Sequence, residues 1–546
     1  MSTSNGPLLV FGPRSPSYDF GPAHPLTPRR FGPGIELLAA VGAVPGLAPE
    51  PASDAELARL HLPEYIATVR RLGSEPSGPG AMGIGLSDNP AFAGMHEAAA
   101  TVAGGSLAAM SAILRGDVDH AHHPGGGLHH AMASKAWGFC IYNDVALAVA
   151  RARTDGRRVL YVDLDVHHGD GVQALTLRDP GVLTVSFHES GRYLFPGTGS
   201  PDELGEGAAA GTAVNMPFEP YSGDAAWLTA VRALVPTLAA VFGPAVVVSQ
   251  HGADAHAWDP LAHLRVTTTA MADAARLVDG VAHRWAGGRW LATGGGGYDA
   301  YRVVPRAWAL TWLAGAHREP PGETPVAWRQ RWEAEAGLHG FEGMPASFLD
   351  VPNAGLPPGG EPQRVGEERS LATLARVRAA VLPRLVREAE DRGWWGPSVT
   401  WAGHEVLDGV GGGTAGSVVA DRAEAMGSHG PDPALAPTVV ALTAERLGAF
   451  SLAPRVVAPF DPADACDLLA SALRDGARVV AAVSASVIVG VAVAAGSATA
   501  PATESLLAVG VAPGFRGQGL GRALLRALVD GRPPGTAMEA RFGVAE

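Results

Sequence analysis

The residues best suited to chemistry in this 546-residue chain fall in one short string, Asp163-Leu164-Asp165-Val166-His167-His168-Gly169-Asp170. Asp163, Asp165 and His167 alternate at the end of an apolar run, so in an extended strand they would project to the same side. Asp254 follows a second apolar run, within Ser249-Gln250-His251-Gly252-Ala253-Asp254. Two carboxylates and an imidazole converging from different strands suit a divalent cation, with positions left open for water and substrate. The donor set is rich in oxygen, so ligand type admits Fe²⁺ beside Zn²⁺. Three acids and two histidines in eight residues are too dense for hydrated loop side chains.

Two further groups belong to the same chemistry. Gly125-Gly126-Gly127-Leu128-His129-His130 sets adjacent imidazoles behind glycines, and imidazole titrates near neutrality, which suits proton transfer. Gly294-Gly295-Gly296-Gly297-Tyr298 lets backbone approach a ligand closely and presents a tyrosine hydroxyl there. Singly, a histidine pair reads as a core pair and a glycine run as a turn. Their joint occurrence with the Asp163–Asp170 string carries the signal. Cys140 lies near these groups and reads as a small buried residue.

The elements that must position these groups alternate regularly. Strand-like runs at 158–166, 182–187, 245–250 and 289–293 alternate with helical stretches such as 97–115 and 225–241. That rhythm predicts an α/β fold with a parallel sheet buried on both faces, whose ligands gather beyond the carboxyl ends of the strands. Residues 8–315 form this catalytic region. Residues 316–395 read as an appendage whose one helical run, near 371–390, is interrupted by Pro383. Residues 396–440 have the composition of a flexible linker, and 441–546 carry a second, smaller α/β pattern.

Composition excludes several classes. The net charge of −13 and the lack of a basic block argue against nucleic acid as a partner. Two cysteines, Cys140 and Cys466, make no disulfide framework, and the amino terminus lacks the pattern of an export signal, so a cytoplasmic location is expected. The uncharged stretch 479–495 is short for a membrane span and rich in valine, and it reads as two strands of a hairpin. Lys135 is the single lysine; arginine supplies nearly all positive charge, as in a GC-rich coding sequence.

The strings HPLTPRR, SDNPAFAGM, GGLHHAM, GFCIYND, YVDLDVHHGDGVQ, FPGTG, QHGADAHAWDP and TGGGGYD resemble the zinc-dependent histone deacetylase superfamily, in its bacterial acetoin-utilisation branch. The resemblance runs unbroken over about 10–315 and implies the arginase/deacetylase fold, an eight-stranded parallel sheet flanked by helices. It implies Asp165, His167 and Asp254 as Zn²⁺ ligands. His129 and His130 become the paired histidines, bonded to Asp163 and Asp170 respectively, and Tyr298 polarises the acetyl carbonyl. Gly138, Phe139 and Phe195 would wall a lysine-sized tunnel, with Leu261 at its lip and Asp88 on the rim to grip substrate backbone. Arg30 matches an arginine of the acetate-exit channel, and Asp163, Asp165, His167 and Ser186 match a structural K⁺ site. Trp137, where a small residue is common, departs from the pattern and bears on rim shape.

In the smaller region, 504–529 runs from a strand into a glycine loop and a helix, and free amides at such a helix N-terminus can cradle a pyrophosphate. The loop string Val-x-Pro-x-x-Arg516-Gly517-x-Gly519-x-Gly521 resembles motif A of the GNAT N-acetyltransferases, which implies acetyl-CoA binding at Arg516, Gly517, Gly519 and Gly521. Runs at 455–459, 461–474, 479–483 and 487–494 follow that family's order of strand, helix and paired strands, and 536–545 suits the next strand. The resemblance then implies an incomplete domain, with Glu504 the one candidate base.

The expected activity is therefore hydrolysis of the acetyl amide of acetyl-lysine in proteins, in acetoin or acetate metabolism. The alternative is an acetylpolyamine or other small-amide amidohydrolase. A two-Mn²⁺ ureohydrolase would want more carboxylates and has no use for the Tyr298 and histidine-pair strings. A non-catalytic acetyl-group sensor conflicts with the complete metal and proton-transfer set.

Overall fold

Short apolar strands, each followed by a polar turn, form the frame of the first of two units: β1 (Leu8–Val10), β2 (Pro45–Leu47), β3 (His120–His123), β4 (Val159–Asp163), β5 (Val182–Glu189), β6 (Ala213–Phe218), β7 (Val246–Gln250) and β8 (Trp290–Thr293). They form one sheet in the order β2-β1-β3-β8-β7-β4-β5-β6, and every neighbouring pair is parallel. The computed structural model describes residues 6–85, 88–350 and 360–394, with strand residues 438–442, 451–452, 478–484, 487–496, 503–511 and 537–539. The chain divides into the units Met1–Trp394 and Trp395–Glu546.

Strands β4, β5, β7 and β8 are buried along their whole length, which explains why they read as continuous apolar runs and not as alternating ones. One face is covered by helices Met95–Arg115 and Asp144–Thr154, which pack Met110, Ile113, Val145 and Val149 with Val159, Val246 and Leu291. Helices Asp224–Phe242 and Thr268–Trp285 pack against the strands from the other face. Helices Met95–Arg115 and Asp224–Phe242 are long and apolar enough to cross a membrane, yet 72% and 61% of their most apolar windows are buried inside the protein. They are core helices.

The topology creates the site. From β4 the chain proceeds outward through β5 and β6, then returns to place β7 on the other side of β4 and β8 beyond it. Connections thus leave β4 and β7 in opposite directions, and a crevice opens beyond their carboxyl ends. Register aligns those ends: Asp163 pairs with Gln250, Gln250 with Thr293, and Thr293 with His123. The loops carrying all the candidate chemistry therefore leave the sheet at one level.

Two local expectations are corrected. The run at 158–166 is a strand only as far as Asp163. Beyond it, Asp163 Oδ1 accepts the Asp165 amide at 3.2 Å and Asp165 Oδ1 accepts the His167 amide at 3.0 Å. These side-chain turns, each closing on the residue two along, bend the chain while keeping its spacing of two. Pro383 does not interrupt its helix, which runs from Gly360 to Asp391. Leu374, Val377, Val381, Leu385 and Ala389 form a buried stripe that holds the helix, while Pro383 and the carbonyl it frees at Ala379 face solvent.

In the second unit the described strands are β9 (Thr438–Leu442), β10 (Ser451–Leu452), β11 (Arg478–Ser484), β12 (Val487–Gly496), β13 (Thr503–Val511) and β14 (Ala537–Glu539). β11 and β12 are an antiparallel hairpin, β13 pairs antiparallel with β12, and β14 pairs parallel with β13. Glu504 sits on β13 opposite Gly496. The runs at 455–459 and 461–474, and Arg516, Gly517, Gly519 and Gly521, lie outside the described residues.

Candidate active site

Beyond β4 and β7, three side chains turn their donor atoms towards one another. His167 Nδ1 lies 3.1 Å from Asp165 Oδ1 and 3.1 Å from Asp254 Oδ2, and all three residues are buried. The far oxygens are already occupied. Asp165 Oδ2 accepts from Gln250 Nε2 at 2.6 Å and from the Gly296 amide at 2.8 Å; Asp254 Oδ1 accepts the Val166 amide at 3.0 Å. One oxygen of each carboxylate is thereby left facing the imidazole. Burial, with Asp165 beside it, pushes Asp254 up to about 6. A Cβ at Gly296 would collide with both carboxylates, so the cradle requires glycine there. Two carboxylates and one imidazole with their free lone pairs convergent fit a divalent cation.

The histidine pair follows β3 and faces this set. His129 Nδ1 bonds Asp163 Oδ2 at 2.8 Å, His130 Nδ1 bonds Asp170 Oδ1 at 2.7 Å, and the two Nε2 atoms stand 3.0 Å apart. The partners on Nδ1 fix each ring and leave Nε2 for the reacting centre. Burial pushes His129 down, but Asp163 and Asp165 more than offset it and hold the imidazolium at about 9. Burial and the neighbouring His129 push His130 down to about 4. One ring is thus a cation and the other a neutral base. The loop itself rests on helix Asp144–Thr154: Asp144 accepts the Gly127 and Leu128 amides, and Asn143 Nδ2 donates to the carbonyls of His129 and Ala131.

Tyr298, after β8, is buried with its ring edge-on to His167 at 6.4 Å and to Phe139 at 5.9 Å. Burial, then the charges of Asp254 and Asp165, raise its hydroxyl well above the usual tyrosine range, so it remains a donor. Around the set stand aromatic walls. Phe195 meets His130 edge-on at 5.1 Å and packs on Trp137 at 5.1 Å. Gly138 and Phe139 both have left-handed backbone, and a Cβ at Gly138 would strike His130 and Phe195. Asp88 is tied in through its carbonyl, which accepts from His24 Nε2 at 3.2 Å, and His24 packs on Phe139 at 4.5 Å. Leu261 is exposed, and its amide shares the Asp259 carboxylate with the amide of Tyr298, each at 2.9 Å. Arg30 is buried and donates to the Gly295 carbonyl at 2.7 Å. Ser186 pairs with Asp163 in register, but its hydroxyl is engaged by His188 at 2.9 Å. Burial holds the Cys140 thiol protonated, and it donates to the Gly138 carbonyl.

Several positioning residues escaped the sequence reading. Tyr161 donates to Asp163 Oδ2 at 2.6 Å, Gln250 orients Asp165, Asp144 seats the histidine loop, and Asp259 joins Leu261 to Tyr298. All four lie inside the strings YVDLDVHHGDGVQ, QHGADAHAWDP and GFCIYND, but nothing in spacing marks their partners.

A buried Asp-Asp-His set, two carboxylate-backed imidazoles and a tyrosine donor at a parallel-sheet switch point define a metal-dependent amide hydrolase. Residues 24–314 match the histone deacetylase domain, and residues 447–531 match the acetyltransferase (GNAT) family. The chain is 41% identical over 350 residues to the acetoin utilization protein AcuC of Bacillus subtilis (strain 168), covering 63% of this chain and 89% of that protein. It is 36% identical over 328 residues to AcuC of Staphylococcus xylosus, covering 58% and 85% respectively. A crystal structure of an HDAC homolog complexed with SAHA superposes with a TM-score of 0.59 at 27% identity, covering 68% of this chain and all of that one. The chain belongs to the histone deacetylase family, is a deacetylase-type hydrolase, and carries a GNAT domain.

Proposed function

We propose that this enzyme hydrolyses the acetyl amide of acetyl-lysine side chains in proteins, releasing acetate. The observation that carries the reading is the pairing of His129–Asp163 and His130–Asp170 across from Asp165, His167 and Asp254. Those three residues would hold the divalent cation, Zn²⁺ by family habit. When bound, it supplies Lewis-acid polarisation of the amide carbonyl and lowers the pKa of water towards ~7.

The chain's own residues do the rest. His130, neutral, takes a proton at Nε2 from the attacking water and delivers it to the departing amine nitrogen. His129, kept cationic by Asp163, stabilises negative charge growing on the substrate oxygen. Tyr298 donates its hydroxyl to that oxygen, and such a donor is worth ~10²–10³ in rate. Phe139 and Phe195 would flank the lysine methylenes and exclude water, with Gly138 leaving them room and Leu261 at the mouth. Asp88 would accept from the substrate backbone at the rim.

A structural K⁺ at Asp163, Asp165, His167 and Ser186, acetyl-CoA at the GNAT domain through Arg516, Gly517, Gly519 and Gly521, and a cytoplasmic setting in acetoin or acetate metabolism complete the proposal. The metabolic setting rests on the names of the two AcuC relatives. Competition between an acetyl-lysine peptide and an acetylated polyamine tests the substrate class. Higher kcat/KM on the peptide is expected; turnover of the polyamine alone would transfer the assignment to small amides.

A further inference from the structure

A second cluster of metal-ligating side chains lies at the opposite, amino-terminal edge of the sheet. His120 opens β3, Asp279 and His283 are four residues apart near the end of helix Thr268–Trp285, and His317 follows helix Val304–Gly315. Asp279 Oδ1 is 3.3 Å from His120 Nε2 and 3.6 Å from His283 Nε2, and Asp279 Oδ2 is 3.3 Å from His317 Nε2. The Nε2 atoms of His283 and His317 are 3.0 Å apart, and one donor from each residue lies within 4.8 Å of all the others. Bonds of ~2.0–2.2 Å to a tetrahedral zinc ion set donor–donor edges of ~3.3–3.6 Å, and the distances of Asp279 Oδ1 from His120 and His283 fall in that range.

The buried half of the cluster has unmet needs. His120 and Asp279 are each only 8% exposed, and neither His120 Nε2 nor Asp279 Oδ1 has a hydrogen-bond partner although they lie 3.3 Å apart. Two polar atoms that close, without an aligned hydrogen bond, face a common point. The His120 ring stands edge-on to both exposed rings, at 73° to His283 and 90° to His317. His317 takes the left-handed conformation, φ 54°, that ends its helix, with the Arg318 amide donating to the Leu313 carbonyl at 3.0 Å.

We propose that His120, Asp279, His283 and His317 form a second divalent-metal site, tetrahedral with three nitrogens and one oxygen, and suited to Zn²⁺. Four protein donors complete a tetrahedral shell, so the site is a structural clasp with no open position for substrate. It ties the start of β3 to the ends of two helices. His283 and His317, 44% and 56% exposed at their side chains, give the ion its route in.

The test uses the full chain, stripped with chelator, reloaded with Zn²⁺ and freed of excess, with zinc per chain read by plasma mass spectrometry. The wild type is expected to hold one equivalent more than the His283→Ala/His317→Ala variant, which retains deacetylase activity. Equal zinc in the two would overturn the proposal. A second readout needs neither histidine changed: Asp254→Ala loaded with Co²⁺ should show the intense visible band of tetrahedral cobalt. Absence of that band would equally overturn it.

Discussion

Gln250 donates from Nε2 to Oδ2 of Asp165 at 2.6 Å, across the seam where β7 meets β4. Its Oε1 accepts the Gly252 amide at 2.7 Å, so the side chain is fixed at both ends. The carboxylate it holds is turned with Oδ1 towards His167. Removing an outer contact of this kind typically weakens metal affinity 10–100-fold. Gln250→Met should therefore need 10–100-fold more free Zn²⁺ for half-maximal activity, with near wild-type rate at saturation. An unchanged zinc requirement would show that the orientation is set elsewhere.

Tyr298 contributes a hydroxyl and little else that phenylalanine lacks. Tyr298→Phe should lose ~10²–10³ in kcat with KM, zinc content and melting temperature near wild type. A loss divided between kcat and KM would assign the hydroxyl to substrate binding.

Asp163 is what keeps His129 charged. Burial alone pushes the imidazolium down, and the carboxylate reverses that, so Asp163→Asn should let the proton go at lower pH. The alkaline limb of the kcat/KM profile is then expected to move acidward, while the acid limb, governed by His130, stays in place. A profile that only scales down without moving would contradict the assignment of His129 as the cation.

Acid should unfold this protein through histidines outside the metal set. Burial holds His122, His123 and His251 neutral, each down at about 3, against 6.5 when unfolded. Their folded pKa values are depressed, so the unfolded state binds the extra protons and stability falls as pH drops from 6.5 towards 3. At pH 5 each group costs about 2 kcal/mol relative to pH 7. Urea midpoints measured at both pH values should differ strongly; equal midpoints would mean that these histidines are solvated.

Much of this was legible because the chemistry sits in short strings at strand ends. Asp163, Asp165, His167 and Asp254 needed only the rule that a buried parallel strand delivers its next residues to the crevice. Gln250 and Tyr161 open the strings QHGADAHAWDP and YVDLDVHHGDGVQ, but their roles were not legible, since each looks like an ordinary strand residue until β4 and β7 are laid side by side. β3 was missed as a strand because its four residues, His120–His123, include three histidines, and burial between β1 and β8 overrides that polarity. Pro383 misled for the opposite reason: a local breaker was outweighed by the buried stripe on the far side of its helix.

The proposed reaction rests on Asp165, His167 and Asp254 holding the ion that makes an acetyl-lysine amide hydrolysable, with Tyr298 and the histidine pair completing it. Its most direct test is acetate release from an acetyl-lysine peptide by wild type, Asp254→Ala and Tyr298→Phe, each incubated with the same zinc. Release is expected from wild type, none detectable from Asp254→Ala with the active-site zinc lost, and ~10²–10³ less from Tyr298→Phe with that zinc retained. Wild-type release that persists in Asp254→Ala would contradict it.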